Sequence, residues 1–202
     1  MPDIEGITEL ESPISQTDID TIISLHKSAF SNVLIGQLNN SFIGYLYHKI
    51  NEYSGGKIFV FKFNNEIVGY LAGLADAERF YTLNYYKNGT YAFIKSIFIK
   101  PKIIISLIIY IYRKTMIKDS PNEAELLSMV VDPEYYRRGI GTELIQKYEE
   151  WLKSKSINNY KVYTDTRYST GNMLYEKLGF KKAEDVCLFG TEYIKYVKDI
   201  DH

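Results

Sequence analysis

Apolar residues recur at a helical spacing over residues 18–30, where Ile19, Ile22, Ile23 and Phe30 sit among polar neighbours. Thr17 or Ser15 is placed to cap that helix, and a short strand is expected before it over 4–10. Phe42, Leu46 and Ile50 repeat the helical period over 42–50, until Gly55-Gly56 breaks it. Two β-rich runs follow, 57–63 and 67–75, and Asn64-Asn65 between them is a favourable hairpin turn.

The pattern changes over 76–121. An uncharged run of isoleucines and tyrosines at 103–112 is about half the ~20 apolar residues a membrane-spanning helix needs. The segment reads as a helical insertion between the third and fourth strands. Beyond it, 126–131 is apolar except for Ser128, as expected of a central strand covered on both faces. Asp132-Pro133 ends that strand. Leu144, Tyr148, Trp151 and Leu152 then mark one face of a helix over 142–154. A short strand at 162–164, a helix at 170–178 stopped by Gly179, and a closing hairpin of 186–188 with 193–197 complete the α/β reading. No repeat or linker interrupts 1–202, so a single domain is expected.

Bulk properties narrow the function. The 46% hydrophobic and 24% charged content is that of a globular protein, and a net charge of −1 provides no field for nucleic acid. A single cysteine, Cys187, excludes an internal disulfide and suits a reducing cytoplasm. The first ten residues carry acids without a basic-then-apolar pattern, so no signal peptide is expected. Cys187 reads as a small buried hydrophobe. His26, His48 and His202 have no zinc-type spacing, so no metal is expected.

Candidate chemistry begins where the apolar strand runs into Arg137-Arg138-Gly139-Ile140-Gly141-Thr142. Glycines let a turn aim its N–H groups at one point, the following helix adds its positive end, and two arginines add formal charge. That combination suits a diphosphate. The chain lacks both the P-loop pattern and the G-x-G-x-x-G fingerprint, so neither common nucleotide motif accounts for the loop.

The segments Leu127-Ser128-Met129-Val130-Val131-Asp132-Pro133-Glu134-Tyr135, Arg138-Gly139-Ile140-Gly141 and Leu174-Tyr175-Glu176-Lys177-Leu178-Gly179-Phe180 together resemble the two hallmark motifs of the GNAT acetyltransferase superfamily. The resemblance spans 126–180, about a quarter of the chain, and the upstream order of elements is similar too. A fainter similarity over 26–47 is to GNAT members of bacterial surface-sugar synthesis. The resemblance implies a mixed central sheet flanked by helices, and acetyl-CoA as cosubstrate. It implies that Met129, Val130 and Val131 splay from the neighbouring strand and offer main-chain groups to the pantetheine and acetyl carbonyl. It places the pyrophosphate on Arg137, Arg138, Gly139, Ile140, Gly141 and Thr142, and makes Tyr175 the donor to the departing thiolate.

The chain departs from the family pattern at three positions. Tyr136 stands where Gln or Arg is frequent, and Tyr168 where Asn is frequent; nearby Asn172 is the substitute cofactor contact. Tyr163 replaces a glutamate base, leaving Asp165, on the same strand face, and Glu125 as candidates. Without an obvious base, an acceptor of low pKa is favoured. A lysine-like amine is under ~0.1% neutral at pH 7, whereas one with a pKa near 8 is roughly a tenth neutral. The expected acceptor is therefore the primary amine of a small molecule such as an amino sugar. A protein or peptide amine, and a CoA-binding regulatory module without turnover, are the alternatives. The apolar insertion must be covered by the domain, a second copy of the chain or a membrane surface. Its bordering Lys95, Lys100, Lys102, Arg113 and Lys114 suit phosphates on the acceptor side.

Overall fold

A computed structural model describes residues 6–32, 34–81, 123–188 and 191–200. Strand β1 (Gly6–Glu9) leads into helix α1 (Gln16–Phe30), whose cap is Ser15, its hydroxyl accepting the Asp18 N–H. Helix α2 (Asn40–Glu52) is capped by Asn39 in the same way, through the Phe42 N–H at 2.8 Å. Strands β2 (Gly56–Phe63) and β3 (Glu66–Leu74) form the expected hairpin, and both turn residues, Asn64 and Asn65, have positive φ, as a tight right-twisted turn requires. After a helical turn at 77–81, most of the expected insertion lies outside the described residues. The chain returns as β4 (Ala124–Val131), α3 (Ile140–Ser154), β5 (Asn159–Asp165), α4 (Ser169–Lys177), β6 (Lys181–Leu188) and β7 (Thr191–Asp199).

The seven strands make one mixed sheet in the order β1-β2-β3-β4-β5-β7-β6. Only β4 and β5 run parallel; the other neighbours are antiparallel. Strand β4 is central, as its apolar run predicts. One core lies between the sheet and helices α1 and α2, around Ile22, Ile43, Tyr47, Tyr70 and Val130. The other lies under α3 and α4, around Leu71, Leu126, Leu144, Tyr148 and Tyr175. No described helix is long and apolar enough to cross a membrane. Cys187 is exposed, against the expectation of a buried position, because it lies on the edge strand β6.

Gly73 sets how closely α3 approaches the sheet. A Cβ there would lie 2.3 Å from Cε2 of Tyr148, a ring that is fully buried and edge-packed on Tyr160. The Tyr148 hydroxyl donates to the Leu74 carbonyl at 3.0 Å, so the ring has nowhere to go. Gly73→Ala is expected to cost about 1–3 kcal/mol through overpacking. A thermal melt should register this as a drop of roughly 2–4 °C per kcal/mol. An unchanged melting temperature would show that Tyr148 can yield.

Candidate active site

Strands β4 and β5 are paired only over Ala124↔Tyr160, Glu125↔Lys161 and Leu126↔Val162. Beyond that point β4 stays with β3 as far as Val131, while β5 stays with β7 as far as Asp165. The sheet therefore opens into a gap between its two central strands. Where the gap begins, Leu127 is an extra residue in β4: Ser128 faces Ala72, and Leu126 faces Gly73. Such a bulge turns the strand and shifts which side chains face which layer.

The register decides what the gap displays. The Asp132 N–H donates to the Val68 carbonyl at 2.8 Å. In an alternating antiparallel ladder, Val130 then also directs its main-chain groups at β3, and Met129 and Val131 direct theirs into the gap. Of the three residues expected to offer main-chain groups, Met129 and Val131 are so placed. Val130 is instead committed to β3 and buried in the core under α1 and α2.

The loop after β4 leads straight to the mouth of this gap. Asp132 accepts the Glu134 N–H at 3.0 Å, closing a short 3-10 turn over Pro133–Tyr135. Arg137 at φ 63 and Gly139 at φ 88 then reverse the chain. Helix α3 starts at Ile140, two residues earlier than the periodicity predicts, so Ile140, Gly141 and Thr142 form its first turn. Gly139 is the N-cap and makes no side-chain cap bond. Its carbonyl takes the Thr142 and Glu143 N–H groups, and the N–H groups of Ile140 and Gly141 have no partner within the helix. Arg137 and Arg138 are exposed, and the Arg138 guanidinium lies over the Tyr135 ring at 4.9 Å. An open, positively polarised helix end beside two cations has the make-up that suits an anion.

Helix α4 closes the same corner. A Cβ on Gly141 would meet Leu174 Cδ2 at 3.1 Å and Met129 Cε at 3.8 Å, so the start of α3, the splayed part of β4 and α4 converge there. Tyr175, next along α4, is buried among Phe180 and Tyr196. Its hydroxyl makes no hydrogen bond to any described residue, and burial pushes its pKa up. Asn172 is also buried; its amide N–H groups approach the Asp165 and Thr166 carbonyls at 3.3 and 3.4 Å. Its Oδ1 is buried without a hydrogen-bond partner among the described residues.

The two carboxylates proposed from sequence occupy different settings. Asp165 is buried at the end of β5 and gripped by Arg167, with Nη2 at 2.6 Å and Nε at 2.9 Å. The guanidinium holds its carboxyl below the usual range, and the Arg167 N–H occupies Oδ1 as well. That arrangement favours a fixed anion over a proton acceptor. Glu125 is buried near the start of β4, before the gap opens, and accepts from the Tyr81 hydroxyl at 3.3 Å. Tyr168 ties the start of α4 to the end of α1 by donating to the Ala29 carbonyl at 2.8 Å. Among the described residues, no group of three or more His, Cys, Asp or Glu is placed to hold a metal ion.

One cluster at the gap is not assembled by sequence reasoning. His26 Nδ1 lies 2.7 Å from the Tyr47 hydroxyl and 3.2 Å from that of Tyr70. Tyr47 in turn bonds Tyr70 at 2.7 Å and Ser128 Oγ at 3.0 Å. Ser128, the lone polar residue of the apolar strand, was the one available signal.

Comparison with known proteins gives the same assignment along most of the chain. The model of the Acetyltransferase (GNAT) family matches residues 19–180. A spermidine N(1)-acetyltransferase of Thermoplasma acidophilum is 37% identical over 73 residues, 36% of this chain and 44% of that relative. The match thus spans less than half of that relative's length. The PaiA N-acetyltransferase of Thermoplasma acidophilum, solved with coenzyme A, superposes with a TM-score of 0.56 at 17% identity, covering 97% of this chain and 99% of that one. The ribosomal-protein-S18-alanine N-acetyltransferase of Escherichia coli gives 0.61 at 14% identity, over 98% and 96%.

Proposed function

Because the chain belongs to the GNAT acetyltransferase family, we propose that it moves the acetyl group of acetyl-CoA directly onto the primary amine of a small molecule, such as an amino sugar or a polyamine. The observation that carries this reading is the convergence of an uncapped helix end, a gap lined by main-chain groups and a phenol that bonds none of the described residues. The described residues fit CoA at each part. The N–H groups of Ile140 and Gly141, with Arg137 and Arg138, suit the pyrophosphate, and Gly139 keeps that helix end open. Thr142, whose own N–H is taken by the Gly139 carbonyl, is left its hydroxyl for a phosphate oxygen. The main-chain groups of Met129 and Val131 suit the pantetheine amides and the acetyl carbonyl. A buried acceptor without a partner costs about 1–3 kcal/mol, and an amide N–H of the cosubstrate would satisfy Asn172 Oδ1.

Bound acetyl-CoA supplies an activated thioester; the protein supplies position and protons. Main-chain N–H groups at the gap stabilise the oxyanion as the amine attacks, and Tyr175 donates its hydroxyl to the sulfur as the C–S bond breaks. Burial raises the phenol pKa, and it raises that of a thiol in the same site too. Asp165, held by Arg167, serves to fix the end of β5, and Glu125 lies too early on β4 to be the first choice of base.

The spermidine acetyltransferase relative supports a small-molecule amine over a protein one. The test is acetyl-CoA with a pool of spermidine, an amino sugar, a lysine peptide and peptides with free α-amines, read by mass spectrometry. Acetylated spermidine or amino sugar as the dominant product is expected. Dominant acetylation of the peptides would replace the acceptor class and leave the cofactor site as it is.

A further inference from the structure

The gap passes through the sheet, with the cofactor loop, α3 and α4 on one face. An amine must then reach the acetyl carbon from the opposite face, where α1 and α2 lie. Ser128 is on that face only because of the bulge. Leu126 belongs to the core under α3, whereas Leu127 packs into the core under α1 and α2, and Ser128 bonds Tyr47 of that same core. Strict alternation would have sent Ser128 back to the face it shares with Leu126. The half-buried Ser128 hydroxyl thus stands at the edge of the gap and continues into a buried chain of hydroxyls that ends on an imidazole.

We propose that Ser128, Tyr47 and His26 form a proton relay that deprotonates the acceptor amine. The idea rests on the reading above that the acetyl group lies in the β4–β5 gap. The relay has Ser128 donate to the Tyr47 oxygen, 3.0 Å away, and Tyr47 donate to His26 Nδ1, 2.7 Å away, which requires the ring's hydrogen on Nε2. The bound ammonium passes one proton to Ser128, which frees the lone pair that then attacks the acetyl carbon; the second N–H proton leaves to solvent as the amide forms. Ser128 releases its own to Tyr47, and Tyr47 releases its own to His26, which becomes imidazolium. The proton returns along the same path once the product has left. Burial pushes the Tyr47 phenol up to about 12, so Tyr47 conducts a proton without resting as an anion. The groups facing His26 include Tyr47 from α2 and Tyr70 from β3, the latter at 3.2 Å, and the Phe30 ring of α1 packs on the imidazole with centroids 4.8 Å apart.

Packing alone does not call for this arrangement. Phenylalanine at 47 would fill the same core volume, and exchanging a buried hydrogen-bonded pair for apolar groups of the same shape is close to neutral. A relay also supplies the base function for which the sequence offers no obvious glutamate.

Measurements on the full chain test it. Ser128→Ala and Tyr47→Phe should each lower kcat about 10²-fold at pH 7 with the pooled amine that the wild type acetylates best. The loss should shrink as pH rises to about 9.5, where more of the amine arrives neutral. Their double variant should be no worse than Ser128→Ala alone, because both interrupt one path. In ¹⁵N-histidine spectra, assigned with His26→Gln, Nδ1 of His26 should be unprotonated at pH 8. Tyr47→Phe leaves the Tyr70 contact to His26 in place, so a thermal melt separates misfolding from lost relay. A loss that is constant across pH, a double variant that multiplies the single losses, or a hydrogen found on Nδ1 in the neutral ring would each overturn the relay. So would lost CoA affinity in Ser128→Ala, which would put that residue on the cofactor side. A wild type that acetylates nothing in the pool would remove the proposed acceptor class, and the Nδ1 spectrum would still decide the direction of the chain.

Discussion

Tyr175→Phe is expected to lower turnover by about 10²–10⁴-fold, the usual worth of a positioned general acid, while CoA affinity stays at its wild-type value. The substitution removes one hydroxyl that bonds nothing among the described residues, so no protein donor or acceptor is stranded. The ring itself remains packed between Phe180 and Tyr196, at 5.1 and 6.0 Å between centroids. Stability should therefore stay close to that of the wild type. Burial pushes the Tyr175 phenol up, so it stays protonated across the working range and adds no alkaline limb to the pH profile. Calorimetry with CoA and single-turnover kinetics are the decisive pair. Equal rates in wild type and variant, with chemistry rate-limiting, would make Tyr175 a packing residue.

The sequence announces this site in part, and the limits have physical reasons. An apolar run interrupted only by Ser128 marks a strand covered on both faces, and that strand is indeed the centre of the sheet. The glycine and arginine turn is local, so its place at a helix N-terminus can be read directly, within two residues of the true start. The gap is not local. It depends on where β4 and β5 cease to pair, and nothing in either strand records the other's register. The Leu127 bulge is hidden for the same reason, because it exists only relative to Ala72 and Gly73. Main-chain direction follows from the bulge, so the sequence cannot distinguish Val130 from Met129 and Val131. Asp165 looks like a free carboxylate in the sequence; only the fold turns Arg167 back upon it. His26, Tyr47, Tyr70 and Ser128 come from four different elements, and an element-by-element reading treats each as isolated.

Gly141→Asp is expected to weaken CoA binding by about two orders of magnitude or more while the fold persists. Two effects act together. The Cβ direction at Gly141 points toward Leu174 and Met129, at 3.1 and 3.8 Å, so any side chain narrows the passage between α3, β4 and α4. An aspartate also brings a negative charge to the helix end proposed to hold the pyrophosphate. At ~5 Å and an effective dielectric constant of ~20, repulsion from one phosphate charge is about 3 kcal/mol, roughly 10²-fold in Kd. Gly141→Ala separates the two terms: it supplies the Cβ without the charge, and should fall between wild type and Gly141→Asp. Added salt should recover part of the Gly141→Asp loss and none of the Gly141→Ala loss, because screening acts on the charge alone. Isothermal calorimetry at two ionic strengths reads both. Wild-type affinity in Gly141→Asp would move the pyrophosphate away from the first turn of α3, and the cofactor placement proposed here would go with it.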